Sequence, residues 1–389
     1  MLNLDKSRAV IREAGVSGWL LTNIFHRDEI ADLVLGVQKE KTNTRPWTCV
    51  LFADRPPLKI VHRIEESILS HVPGDTIPYA TRAELEAALS RALPRSGKLA
   101  ADYSSTIPVG SYLDHGTALF LQSLGAALAP AEDLVARYLG TVDDEGRRSH
   151  DSAAAVLYAA VADAWSRLAQ AFRDGRTLTE GDVQGWVMQS ISAAGLQADS
   201  PPIVGAGRHT NDPHFGLDGR GAAFAPGDVV QFDVWAKEKT DGAVYADISW
   251  IGVCSPEPSA LQRRVFEAVR NAREAAVSLL ESRLAGGRAV TGAEVDQAAR
   301  EALTARGFAA GIRHRTGHSI GARLHGYGVN LDSVEFPDER ALTEGACFSV
   351  EPGIYLEELG MRTEIDCIIH GGALHISGPG RQTSLLALG

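Results

Sequence analysis

Four acidic residues and one histidine, Asp233, Asp247, His318, Glu351 and Glu364, stand in an order that metal chemistry can use. The first acid of each pair closes a run of buried-strand character, Val229-Val-Gln-Phe-Asp233 and Cys347-Phe-Ser-Val-Glu351. The second lies inside another such run, Gly242-Ala-Val-Tyr-Ala-Asp247-Ile-Ser-Trp-Ile and Gly360-Met-Arg-Thr-Glu364-Ile-Asp-Cys-Ile-Ile. The intervals of 14 and 13 residues suit hairpins that set two side chains opposite each other on one sheet face. Unpaired carboxylates among Val, Phe, Ile and Trp repel one another and lose hydration, at a cost of roughly several kcal/mol unless a positive charge lies between them. Hard divalent cations remove that cost, and a histidine nitrogen shifts the preference from Ca or Mg towards Mn, Co, Fe or Zn.

The histidine comes from Gly311-Ile-Arg-His-Arg-Thr-Gly-His-Ser-Ile-Gly-Ala-Arg-Leu-His325, where His314, His318 and His325 are four and seven residues apart. His318 is expected to hold metal, with His314 and His325 left to work on the substrate. Taken singly, an acid at a strand end is usually solvated and a Gly-His-x-x-Gly run is usually a turn. The joint order across two matching halves is what a purely structural explanation handles poorly.

An internal repeat supplies those halves. Gly175-Arg-Thr-Leu-Thr179-Glu-Gly-Asp182-Val183 returns as Gly287-Arg-Ala-Val-Thr291-Gly-Ala-Glu294-Val295, an offset of 112 throughout. Each copy carries a Thr-x-x-acid capping box that opens a helix. Each also follows a long amphipathic helix, the first striped by Leu157, Val161, Trp165, Leu168 and Phe172, the second starting near Ser259. Further on, Pro226-Gly-Asp-Val-Val-Gln-Phe-Asp233 aligns with Glu344-Gly-Ala-Cys-Phe-Ser-Val-Glu351 at an offset of 118. The pattern predicts an α+β domain of two similar α–α–β halves, with helices on one side of a curved antiparallel sheet.

Before the polar stretch Thr141-Val-Asp-Asp-Glu-Gly-Arg-Arg-Ser-His150 the chain alternates strand and helix patterns. Val16–Thr22, Trp47–Phe52 and Leu58–His62 read as strands, and residues 82–93 as a helix stopped by Pro94. The expected division is therefore an α/β domain over 1–142 and the duplicated domain over 143–389. The isolated histidines His26, His62, His71 and His115 have structural or surface character. Trp47, following Asn43-Thr-Arg-Pro, either packs in its own domain or supplies an aromatic to a neighbouring copy's site, and packing is favoured.

Composition narrows the function classes. A length of 389 residues, 44% hydrophobic and 22% charged, fits two globular domains rather than disorder. A formal charge of −11 with no basic block argues against nucleic acid and anionic membranes as partners. The four scattered cysteines, Cys49, Cys254, Cys347 and Cys367, form no CxxC pair and suit buried thiols in a reducing compartment. The start of the chain lacks a signal-peptide pattern and no apolar run reaches about 18 residues, so a cytoplasmic location is expected.

The set Asp233, Asp247, Gly317-His318-Ser-Ile-Gly321, Glu351-Pro-Gly-Ile-Tyr355 and Arg362-Thr-Glu364 resembles the pita-bread metallopeptidases, which comprise methionine aminopeptidases, aminopeptidase P, prolidases and creatinases. The resemblance covers about residues 150–389, and the N-terminal part is loosely similar to the creatinase-type α/β domain. It implies two divalent ions, Mn first and Co, Zn or Fe as alternatives, held by Asp233, Asp247, His318, Glu351 and Glu364. Glu351 would also carry the proton from the attacking water to the proline nitrogen. His214, in Asn211-Asp-Pro-His-Phe215, falls where proline-specific members keep a substrate-contacting histidine, and it joins His325 and His314 as a candidate. Arg362 points to the proline-specific branch, either facing a substrate carboxylate or neutralising nearby acids. The implied activity is hydrolysis of Xaa-Pro bonds in small peptides by a homodimeric dipeptidase. The alternatives are an Xaa-Pro aminopeptidase, a metal-dependent small-molecule hydrolase or lyase, and a non-catalytic peptide-binding module. Two departures bear on substrate preference: the longer Asp233–Asp247 interval, and Gly-Tyr-Gly-Val-Asn after His325 where His-Glu-x-Pro is frequent.

Overall fold

A computed structural model of the chain describes residues 2–94 and 96–388. It contains two compact units, Met1–Leu139 and Gly140–Gly389.

The first unit is a mixed α/β layer. Six strands, β1 (Gly18–Asn23), β2 (Trp47–Leu51), β3 (Leu58–His62), β4 (Asp75–Tyr79), β5 (Leu99–Ala101) and β6 (Leu128–Pro130), lie in the order β4-β3-β2-β1-β5-β6. Helices α1 (Leu4–Glu13), α2 (Glu29–Leu35), α3 (Arg82–Ala92), α4 (His115–Ser123) and α5 (Glu132–Leu139) complete it. Trp47 is 1% exposed within β2, so its ring is core of its own unit. The expected histidine roles are visible as contacts: His26 meets Asp32 at 2.7 Å, and His71 meets the Leu35 carbonyl at 2.8 Å.

One buried acid pair in this unit has a measurable consequence. Asp28 caps α2 by accepting from the Ala31 N–H at 2.9 Å, while Asp102 accepts from Trp19 Nε1 at 2.8 Å and lies beside Asp28. Desolvation, reinforced by Asp32, pushes Asp28 from 3.8 up to about 7, and desolvation together with Asp28 pushes Asp102 well above its ordinary value. Both carboxyls hold a proton more tightly folded than unfolded. Their contribution to stability is therefore complete below the unfolded value of 3.8 and is lost as pH rises, for Asp28 through about 7. Asp102→Asn keeps an acceptor for Trp19 and offers Asp28 a donor. Thermal melts at about pH 5 and pH 8 should show a smaller loss of stability in the variant, the difference being on the order of a few kcal/mol. Equal pH slopes in the two proteins would contradict this account.

In the second unit two helix pairs back two antiparallel hairpins. The first half runs α6 (Asp144–Arg173), α7 (Glu180–Ala193), β7 (Leu196–Gln197), β8 (Ile203–Ala206), β9 (Val229–Glu238) and β10 (Ala246–Val253). The second runs α8 (Ala260–Ala285), α9 (Gly292–Ala305), β11 (Cys347–Val350), β12 (Gly353–Tyr355), β13 (Gly360–Arg362), β14 (Ile365–His370) and β15 (Ala373–Ile376), and β16 (Leu386–Ala387) then returns beside β10. Both capping boxes form: Thr179 with Asp182 opens α7, and Thr291 with Glu294 opens α9. The apolar stripe of α6 buries Leu157, Val161, Trp165 and Leu168 against Phe232 and Ile248. Trp165 fits because position 252 is glycine, where a Cβ would lie 2.3 Å from the indole. This is the pita-bread fold with its internal repeat.

Two features of the hairpins differ from the sequence expectation. Residues 242–245 form no strand, and β10 starts only at Ala246. The run 360–369 is two strands, β13 and β14, interrupted at Thr363 and Glu364, so that Glu364 leaves its hairpin ladder and donates its N–H to the Ser249 carbonyl of β10 at 3.1 Å. That bond stitches the two halves together at the acids.

Candidate metal centre

The register of each hairpin decides where its acids meet. In the second half the pairings Val350↔Ile365 and Gly353↔Arg362 share one register, which sets Glu351 opposite Glu364 as expected. In the first half Asp233 pairs with Ser249 and Asp247 with Trp235, so these two acids are diagonal neighbours on one face rather than directly opposed. The extra residues of the 239–245 loop account for the slip. His318 arrives from the turn before β11. Its N–H bonds Ser349 Oγ at 3.0 Å, and its carbonyl accepts from Ser349 N at 2.9 Å. Gly317 permits this contact, since a Cβ there would lie 2.0 Å from the Ser349 carbonyl.

The ligand atoms of Asp247, His318 and Glu364 all lie within 4.8 Å of one another. His318 Nε2 is 3.6 Å from Asp247 Oδ2 and 3.6 Å from Glu351 Oε1. Asp233 borders the group, ion-paired with Arg362 and 2.9 Å from Ser249 Oγ. The same hydroxyl is 2.9 Å from Glu364 Oε2, so one proton serves two carboxylates. Asp247 Oδ1 and Glu364 Oε1 are buried with no hydrogen-bond partner among the described residues. Desolvation, then the mutual repulsion of the acids, pushes Asp247 and Glu364 well above the ordinary carboxylate range. Glu351 differs. Desolvation raises it, but its electrostatic attraction to the neighbouring His318, His314 and Arg362 side chains outweighs that and holds it below its ordinary value.

The remaining candidates line the same cavity of about 420 Å³, whose walls also include Ile203, Pro213, Trp235 and Leu324. His214 and His325 are exposed at its mouth, and the His325 ring lies 4.2 Å from that of His318. His314 has both nitrogens engaged, Nδ1 at 2.6 Å from the Arg315 carbonyl and Nε2 at 2.8 Å from the Tyr355 hydroxyl. That hydroxyl accepts from Arg362 Nη1 at 2.9 Å. Arg362 is 5% exposed and also donates to Ser249 Oγ and the Pro213 carbonyl, which places its guanidinium inside the carboxylate layer. Sequence reasoning missed Ser249 and Tyr355, the hydroxyls that join the acids to Arg362. Both sit within quoted motifs, but a lone hydroxyl carries no spacing signal of its own. Asp366 was missed too. Fully buried, it accepts the Asp247 N–H at 2.7 Å and lies 3.5 Å from His150 Nε2.

A duplicated helix-backed antiparallel sheet carries at its centre a histidine and buried acids, the donor types that a divalent metal site uses. Residues 147–371 match the model of metallopeptidase family M24, and the chain belongs to that family. The Xaa-Pro dipeptidase of Lactobacillus helveticus is 33% identical over 193 residues, covering 49% of this chain and 48% of that protein. The chain thus spans about half the length of the curated relatives it matches. Among solved structures, dipeptidase PepE from Mycobacterium ulcerans superposes with a TM-score of 0.72 at 24% identity, covering 99% of this chain and 96% of that one. The X-Pro aminopeptidase from Thermotoga maritima gives 0.63 at 20% identity with 100% coverage of both chains. These likenesses are of fold.

Metal use by the family fits this donor set. Four carboxylates converge with one guanidinium among them, two buried oxygens lack any partner among the described residues, and His318, its basicity lowered by burial, faces the same cavity. Cations of charge two are the simplest complement to such a cluster.

Proposed function

We propose that the chain is a dinuclear-metal-dependent Xaa-Pro dipeptidase. In this reading Asp233, Asp247, His318, Glu351 and Glu364 hold two divalent ions, manganese the first choice. The carrying observation is that the orphaned oxygens of Asp247 and Glu364 face a cavity whose walls combine exposed histidines with Ile203, Trp235 and Leu324. The apolar wall suits a pyrrolidine ring, and a tertiary amide nitrogen that donates no hydrogen bond needs a pocket of its own.

Divalent metal at this site would polarise the scissile carbonyl and acidify a water. The chain's own residues do the rest. Glu351, at 14% side-chain exposure the most open of the cavity's metal-binding acids, takes the water's proton and returns it to the proline nitrogen as the C–N bond breaks. His214 and His325 donate to the carbonyl oxygen as it gains charge. Arg362 orients Asp233 and offsets its charge, and His314 holds Tyr355 against Arg362.

The reading extends to a cytoplasmic homodimer with 1–142 as a creatinase-type domain. It is supported there by four buried free cysteines and by family resemblance. Chelator-stripped protein should be inactive on Ala-Pro and recover with Mn, while Ala-Pro-Ala stays a poor substrate by about tenfold or more, in line with a closed site that rejects a longer chain. Equal or faster cleavage of the tripeptide would make the chain an Xaa-Pro aminopeptidase instead. No activity on either peptide with any of the four metals would remove the peptidase reading.

A further inference from the structure

The first unit forms, wholly from its own residues, a cavity of about 480 Å³, a volume in the range of small-molecule pockets. Its place follows a general rule of open α/β sheets. β1 and β5 run parallel side by side, and the chain leaves β1 towards β2 on one side and β5 towards β6 on the other. Connections that diverge in this way open a crevice outside the carboxyl ends of the strands, where such sheets bind ligands. The cavity lies there, taking Thr22, Asn23 and Ile24 from the end of β1 and Tyr112, Leu113 and Asp114 from the segment after β5. The turn from β1 to α2 is held in a costly shape beside it. Phe25 and His26, with φ of 57° and 51°, are the non-glycine residues of positive φ among the described residues. The Phe25 N–H donates to the Asn43 carbonyl at 2.9 Å, and His26 bridges Asp32 at 2.7 Å and the Lys41 carbonyl at 2.8 Å. So fixed, the turn sets Ile24, Arg27 and Asp28 in the cavity wall.

The wall is amphipathic. Leu85 and Leu89 of α3 and Phe120 and Leu121 of α4 supply an apolar face, and Leu85 and Phe120 are only partly buried by the core behind them. Arg82 lies with its guanidinium 3.7 Å over the Phe120 ring and its Nε 2.7 Å from Glu86, which fixes its plane. Its two terminal nitrogens make no hydrogen bond among the described residues, and Arg27 reaches Asp114 only as an ion pair at 3.6 Å. Desolvation raises Asp28 to about 7, so below that pH the two guanidiniums of the lining face one ionised carboxylate, Asp114. A ligand carboxylate matches that excess and the planar fork of a guanidinium, and the leucines and Phe120 call for an apolar body.

We propose that this crevice of the first unit binds a monocarboxylate with an apolar body, the carboxylate on Arg82 and Arg27 and the body between α3 and α4. It is independent of the peptidase reading, because it rests on residues of the first unit alone. Calorimetry on the full chain at about pH 6 compares octanoate with octanamide, which has the same body and no charge. Wild type should bind octanoate more tightly than the amide by about tenfold or more. Arg82→Gln should weaken octanoate by about tenfold and leave octanamide within about twofold, and Arg27→Gln should act in the same direction. Leu85→Gln should weaken both probes by about threefold or more. Melting curves on each variant confirm that it is folded. The assignment is overturned if wild type binds neither probe, a crevice closed by a second copy included, or binds both alike. It is equally overturned if Arg82→Gln and Arg27→Gln both keep the octanoate preference, or if Leu85→Gln changes neither affinity.

Discussion

Glu351→Gln is expected to fold, to retain metal, and to lose turnover on Ala-Pro by about 10²–10⁴-fold, the range that a positioned general base contributes. Glutamine preserves the shape of the side chain, which lies 3.6 Å from both His318 Nε2 and Arg362 Nε and 3.3 Å from Ser349 Oγ, and removes only the charge and the basicity. The residue suits the task electrically, because the neighbouring His318, His314 and Arg362 hold its carboxyl below the ordinary value despite its burial. Steady-state kinetics with metal analysis on the same sample decides the matter. A variant with wild-type kcat and full metal content would show that Glu351 does not carry the proton.

The second large effect has two opposite signs. Asp247→Asn should make the metal-free protein more stable, by about 1–3 kcal/mol, because it deletes one member of a group of mutually repelling, desolvated carboxylates. Asp247 feels Asp233 and Glu351 most strongly, and its Oδ1 has no partner to lose. Its backbone bond to Asp366 is untouched by the change. The same substitution should abolish the rise in melting temperature that Mn produces in wild type, since ligand-linked stabilisation needs the ligand site. Melting curves with chelator and with added Mn measure both. A metal-free variant that melts below wild type would mean that the acids are not held at a cost, and the argument for a metal cage would lose its physical basis.

Much of the site was legible because duplication repeats the chemistry as well as the fold. The capping boxes Thr179–Asp182 and Thr291–Glu294 are local devices, readable from four residues each, and both form. The stripe on α6 is readable for the same reason, since a helix shows its buried face at every turn. Register is not local. That Asp233 faces Ser249 rather than Asp247 depends on how many residues the intervening loop absorbs, and nothing in 239–245 states that number. Arg362 shows the same limit. Its type and its place two before Glu364 allow either a substrate role or a counter-ion role, and only the convergence of Asp233, Ser249 and Tyr355 on its guanidinium separates them.

By itself, then, the order of residues determined the family, the five candidate ligands and the two-halved architecture, because periodicity, caps and repeated strand-end acids are properties of neighbours along the chain. The tertiary structure alone decided which charges are satisfied. Arg362 and Arg315 are both arginines beside the same motifs, yet the first is enclosed by an acid and two hydroxyls and the second lines the cavity with no side-chain hydrogen bond or ion pair among the described residues. The physical reason is that electrostatic satisfaction falls off with distance in space. The groups that satisfy Arg362 lie between 7 and 149 residues away in sequence, at separations where spacing carries no information.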